Sequence, residues 1–220
     1  MPLNYFYATN SYLSDWVAYD REARKVLGFK PGHTPEYRAA CKQLMSVAKG
    51  YSVSRNFGVA AENGSDRLSS VWEALQKIEE PTSDQDAKDC VKKLVEDLSQ
   101  TYNRELWSAA SKFLWMRFDN PIIIYDSLAW NWMHRNGGCS SGGGYNGFYD
   151  AWRKTFEDCR KEVGAACEEL LRLKARKFLC PSDVSDEEFE LAVSSPWFAE
   201  RVFDHAIVNE SSETDLQGKV

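Results

Sequence analysis

The sequence predicts an all-α protein, and three observations carry that expectation. Apolar residues recur at three- and four-residue spacing through almost every segment, strand-like alternation is nearly absent, and glycine or proline falls where one helical pattern gives way to the next. The 220 residues, 43% of them hydrophobic, suffice for one ordinary core or two small lobes around a cleft. A single helical domain of two lobes is expected over residues 1–208, followed by a flexible polar tail over 209–220.

Ser11 to Leu27 places Leu13, Trp16, Val17, Tyr19, Ala23 and Leu27 mostly on one side of a helix, and GFKPGHTP breaks it. Thr34-Pro35-Glu36 starts the next helix, with proline at its first position, and Gly50 stops it. Residues 51–65 read either as a short extended piece or as an irregular loop. Asp66 to Glu79 is helical and halts at Glu80-Pro81. Ser83 opens another helix, whose Cys90, Val91, Leu94, Val95 and Leu98 form an apolar stripe.

A helix from about Arg104 to Phe118 comes next, with Leu106, Trp107, Ala110, Phe113, Leu114 and Phe118 on its apolar side and Arg104, Ser108, Ser111 and Lys112 on the other. Asn120-Pro121 ends it, because a residue before proline disfavours helical backbone. Ile122 to Tyr125 then crosses the interior as extended chain, and Asp126 stands at the N-cap of the helix that begins with Ser127. After the glycine-rich residues 137–144, one long helix is expected over Gly147 to Phe178, ended by Cys180-Pro181. Short helices near 185–193 and 196–208 complete the fold.

Composition narrows the function. A net charge of −6 argues against coating DNA by bulk electrostatics, which needs clustered lysine and arginine. Mean hydropathy is −0.51, and no apolar run approaches the roughly 20 residues that span a bilayer. The first fifteen residues lack the basic and long apolar regions of a signal peptide, so the expected location is the cytoplasm. The six cysteines include no CxxC pair and read as buried free thiols, while His33, His134 and His205 form neither HExxH nor HxH. No metal or cofactor is expected. GGCSSGGGYNG lacks the GxxxxGK[ST] pattern and a preceding strand, so it reads as a flexible connector, with a lid as the alternative.

The chemistry-bearing pattern is SAASKFLWMRFDNPIIIYDSLAWNWM, residues 108–133. Lys112 lies one turn beyond Ser108, within side-chain reach, and Asp126 follows the apolar linker directly. Each residue also has an ordinary explanation. Aspartate is a favoured N-cap, worth about 1 kcal/mol over alanine, and a lysine on a polar helix face is usually solvated. Trp130 and Trp132 lie about 200° apart on one helix, so one can enter a cleft while the other supports the core.

The same stretch resembles the helix–linker–aspartate–helix region of the helix-hairpin-helix DNA glycosylase superfamily, in particular its 8-oxoguanine glycosylase-like branch. The SK…PIxxYDS pattern is also similar to small bacterial proteins of that branch, including accessory proteins encoded in anti-phage CBASS operons. The resemblance implies an N-glycosylase, with or without lyase activity, acting on a modified purine in nucleic acid or a nucleoside. It implies Asp126 as the carboxylate that assists glycosidic cleavage and Lys112 as the amine that attacks the sugar. Ser108, Trp115, Tyr125 and Trp130 become candidate substrate contacts. Partners would be nucleic acid or a nucleobase, and a protein of the defence operon; no membrane is implied.

Two departures from the family pattern stand out. In the archaeal-type pattern the lysine lies eighteen residues before the aspartate, where this chain has Ser108. Lys112 comes one turn later, on a similar azimuth but about 6 Å along the axis. The glycine-containing hairpin expected just before that helix is replaced by LSQTYNRELW, which has no glycine. Arg104, or the basic run from Arg172 to Lys177, offers nucleic acid another contact, or is simply solvated. A catalytically inactive module that keeps the fold to bind a nucleobase, a nucleotide or a protein partner is the competing expectation.

Overall fold

The computed structural model describes residues 3–30, 32, 34–57, 67–136, 138–140 and 142–217, with side chains described up to residue 212. The protein is all-α, with no strand among the described residues. His33, most of the ambiguous 51–65 segment and two residues of the glycine-rich connector, Gly137 and Ser141, lie outside the described residues. The chain divides into two compact units: an inserted unit, residues 19–125, and a split unit made of residues 1–18 and 126–220.

The split unit opens with α1 (Tyr5–Asp15), which starts six residues earlier than the periodicity of Ser11 to Leu27 suggests. Asn4 explains the early start, because its side chain accepts a hydrogen bond from the Tyr7 amide at 2.9 Å. A π-helical turn, Trp16–Asp20, follows. After the inserted unit come α7 (Ser127–Arg135), α8 (Gly144–Arg172), α9 (Arg176–Leu179), α10 (Asp186–Val193) and α11 (Pro196–Gln217). The last of these packs against α1, α7, α8 and α10. Around it Trp152 meets Phe203 at 5.0 Å and Phe156 at 5.2 Å between ring centroids, and Tyr12 meets Phe198 at 4.9 Å. Aromatic pairs at such distances add about 0.5–1.5 kcal/mol each beyond the area they bury.

Two expectations for this unit are corrected. The long helix stops at Arg172 rather than Phe178: Lys174 takes a left-handed φ of 51°, its amide donates to Leu171 O, and the Ala175 amide reaches back to Leu170 O. This is a Schellman ending built on lysine instead of glycine, so no glycine marks it in the sequence. The polar tail is also not a loose end from residue 209, since α11 continues to Gln217. Trp132 Nε1 donates to Glu210 Oε2 at 2.7 Å and Arg135 donates to the buried Ser211 hydroxyl at 2.7 Å. Polar contacts hold what an apolar pattern could not announce.

The inserted unit contains α2 (Arg21–Leu27), α3 (Tyr37–Gly50), a 3₁₀ turn (Ser54–Asn56), α4 (Ser69–Gln76), α5 (Asp84–Tyr102) and α6 (Trp107–Phe118). Glu36, not Thr34, caps α3, its carboxylate accepting from the Arg38 and Ala39 amides at 3.0 and 2.8 Å. Ser83 caps α5 as expected, its hydroxyl accepting from the Asp86 amide at 3.1 Å. Asn103, with φ of 51°, ends α5. The central element is α6, packed against α2, α3 and α5.

Here the sequence expectation needs its largest correction. The helix from about Arg104 was expected to have a polar side on which a lysine is ordinarily solvated, but every residue from Ala109 to Phe118 is buried, including Ser111, Lys112 and Arg117. The helix also starts only at Trp107, with no side chain capping it. The linker that follows behaves as expected: Ile122, Ile123 and Ile124 are all buried. Burying a side chain of this size stabilises by roughly 1.5–3 kcal/mol, so the linker is firmly anchored.

Candidate functional site

A buried ammonium needs hydrogen bonds or charge to replace water. Lys112 is 4% exposed, and its Nζ donates to Ser108 Oγ at 2.9 Å. On a helix, long side chains lean toward the N-terminus and over the preceding turn, which is the direction this contact takes. The amine is therefore delivered to the level of the Ser108 hydroxyl. On another side Nζ lies 5.6 Å from the centroid of the Tyr51 ring, in cation–π range. The Tyr51 hydroxyl in turn donates to both oxygens of Asp20, at 2.9 and 3.0 Å, and that carboxylate is fully buried.

Ser108 also faces outward. With Asn56, Arg104, Glu105, Leu106, Trp107, Ala109 and Tyr125 it lines a hollow of about 480 Å³, within the usual size of small-molecule sites. The wall combines two aromatic side chains with an amide, a hydroxyl and charges of both signs. Arg104, read from the sequence either as a nucleic-acid contact or as a solvated residue, stands exposed at this rim. Ser111 fixes another part of it: its fully buried hydroxyl accepts from the Tyr125 amide at 2.9 Å and donates to Ser108 O at 3.3 Å. Three of the expected residues, Lys112, Ser108 and Tyr125, thus come together within the inserted unit. Trp115 does not join them. It sits in the core at 1% exposure with the Arg24 guanidinium 5.1 Å from its ring centroid, so it offers no face to an incoming base.

In the split unit, Asp126 caps α7 as the sequence suggests. Its Oδ1 accepts from the Leu128 amide at 2.9 Å, and its backbone is extended, with φ of −136° and ψ of 144°. Trp130 is half-buried and stacks on His134, with ring centroids 5.1 Å apart and planes 9° from parallel. Trp132 points into the core, so the two tryptophans divide as their angular separation requires.

The split unit also buries charges that sequence reasoning missed. Arg153 on α8 pairs with Glu200 on α11 at 2.6 Å; Arg201 pairs with Asp204, which also accepts from Trp152 Nε1 at 2.7 Å. Burial lifts the Glu200 carboxyl to about 7 against the pull of Arg153. Burial likewise raises Asp204, with Arg201 opposing and the nearby Asp126 charge adding a smaller upward push. His205 lies 3.3 Å through Nδ1 from Ser11 Oγ and 3.7 Å through Nε2 from Asp15 Oδ2. That order suggests a hydrolytic triad, but burial and the Arg201 charge hold the imidazole down at about 3, far too weak a base for neutral pH. On α8 and α11 these residues look like solvated helix faces, and only the fold reveals them as interior.

The remaining expectations concern metals, thiols, basic patches and membranes. Among the described residues no group of three or more His, Cys, Asp or Glu could hold a metal ion. All six cysteines are free; Cys41, Cys139 and Cys167 are buried, and burial pushes the Cys167 thiol up to about 12, which makes it inert. In the basic run after α8, Arg172 pairs with Glu169 and Arg176 with Asp186, which leaves less of it for a polyanion. No helix among the described residues is long and apolar enough to cross a membrane. No protein family, curated protein or solved structure matches the chain.

Proposed function

We propose that the protein is an N-glycosylase, with lyase capacity, that acts on a modified purine base in nucleic acid or a nucleoside and serves bacterial anti-phage defence. The observation that carries this reading is the placement of the Lys112 amine, buried yet bonded to a hydroxyl that lines an open hollow. In its neutral form the amine would attack the anomeric carbon, forming a C–N bond while the base departs with the electrons of the glycosidic bond. Loss of a proton from the attacking nitrogen and ring opening then give a Schiff base. Tyr125 and Trp107 would stack on the base, and Ser108 and Asn56 would read its polar edge. Asp126 takes the role that the family resemblance implies, a carboxylate that stabilises positive charge on the sugar or activates water.

Base release from oligonucleotides and nucleosides carrying oxidised or alkylated purines tests the reading. Asp126→Asn isolates the carboxylate, because asparagine caps a helix as well as aspartate and the fold should survive. Loss of release in that variant is the expected result, and full release would remove Asp126 from the chemistry. The second reading is a binding module without turnover, for a nucleobase, a nucleotide or a defence-operon protein. It is favoured by the start of α6, where the family's glycine hairpin is missing and no side chain caps the helix. Tight binding without product in the same assays would establish it.

A further inference from the structure

We infer that Tyr51 and Asp20 are positioning residues for the Lys112 amine: the Tyr51 ring closes one side of the ammonium, and Asp20 fixes that ring. The inference rests on reading Lys112 as the nucleophile. Ser108 accounts for one direction of Nζ, toward the hollow. The Tyr51 face, 5.6 Å away, accounts for a second. A ring on a surface loop would rotate freely, but this one is pinned at its far end by two hydrogen bonds into a carboxylate that solvent does not reach.

The local backbone supports the same conclusion. Asp20 closes the π-helical turn Trp16–Asp20, and such turns displace a side chain from the position an α-helix would give it. Tyr51 directly follows the last residue of α3, and Ser52 beyond it takes a positive φ of 57°. Two irregularities thus bring a carboxylate and a phenol together, 31 residues apart in sequence. A carboxylate at the phenol hydroxyl enriches the ring's electron density, which strengthens its hold on a cation. The consequence is a narrowed set of lysine rotamers, the condition for a near-attack geometry.

Protein labelled with ¹³C-lysine provides a direct readout, because ring currents from Tyr51 shift the Lys112 side-chain methylene protons upfield; Lys112→Arg assigns the signal. Tyr51→Leu should abolish the shift. Asp20→Ala and Tyr51→Phe remove the same hydrogen bonds, so each should reduce it by a similar amount, and the double variant should go no further. On a purine-lesion substrate, borohydride-trapped adduct should form roughly tenfold or more slowly in all three. An unchanged Lys112 signal in folded Asp20→Ala and Tyr51→Phe proteins overturns the inference even if Tyr51→Leu fails to fold. An unshifted signal in the wild-type protein overturns it as well. If the shift responds as expected but even wild-type protein forms no adduct, the positioning stands and the glycosylase reading falls.

Discussion

Both units bury charge, and they differ in what a buried cation touches besides its own interior. In the split unit, Arg153 faces Glu200 and Arg201 faces Asp204, so the interior charges answer one another across α8 and α11 or along α11. In the inserted unit Arg24 likewise faces Asp119, but the buried Lys112 amine also meets a serine hydroxyl that itself lines an open hollow. A closed ion pair is fully used in holding structure. A cation that also bonds a hydroxyl at an open hollow can exchange that bond for one to a ligand, which is why the proposed chemistry is assigned to the inserted unit.

The sharpest way to break the comparison is to open a pair in the split unit. Arg201→Ala leaves the Asp204 carboxylate buried without its guanidinium and should cost about 3–5 kcal/mol in denaturant unfolding. A loss below 1 kcal/mol would mean that the pair is not structural. Next comes Glu200. Its carboxyl, ordinarily near 4.5, stands at about 7 in the folded protein. Between those values the folded chain holds a proton that the unfolded chain has released. The associated stability is present below pH 4.5 and is lost as pH rises through 7. Glu200→Gln removes this slope, so its stability relative to wild type should climb by on the order of 3 kcal/mol across the window. A constant difference from pH 4 to 8 would contradict the assignment.

Lys112 should behave differently from both. Lys112→Met keeps most of the apolar stem while removing the ammonium, so the loss of unfolding free energy should be smaller than in Arg201→Ala, about 1–3 kcal/mol. A loss as large as that of Arg201→Ala would place Lys112 among the structural charges. The smallest expected effect tests the extended α11. Trp132→Phe removes the hydrogen bond to Glu210 while keeping the aromatic ring, and should cost about 1–2 kcal/mol. Faster amide exchange over residues 209–212 in this variant would confirm that the contact anchors the helix end.

What the sequence made legible follows from where its signals reside. Local chemistry was readable: Ser83 and Asp126 cap the helices they precede, and the PIIIY linker is buried where an unbroken apolar run demands it. Contacts between distant segments were not. Lys112 looked solvated because its cover comes from Tyr51, far away in the chain and ordinary in composition. Glu200, Arg201 and Asp204 looked like one face of a surface helix for the same reason, since their burial depends on Trp152 and Arg153 of α8. The break at Lys174 was hidden because a lysine takes the conformation usually left to glycine.

The central claim is that the Lys112 amine reaches substrate through the hollow that Ser108 lines. Borohydride trapping with a duplex carrying an oxidised purine or an abasic site, followed by peptide mapping, tests it most directly. A covalent adduct on Lys112, absent in Lys112→Met, is the predicted result. No adduct on a substrate from which the wild-type protein releases base, or an adduct on some other lysine, would contradict it.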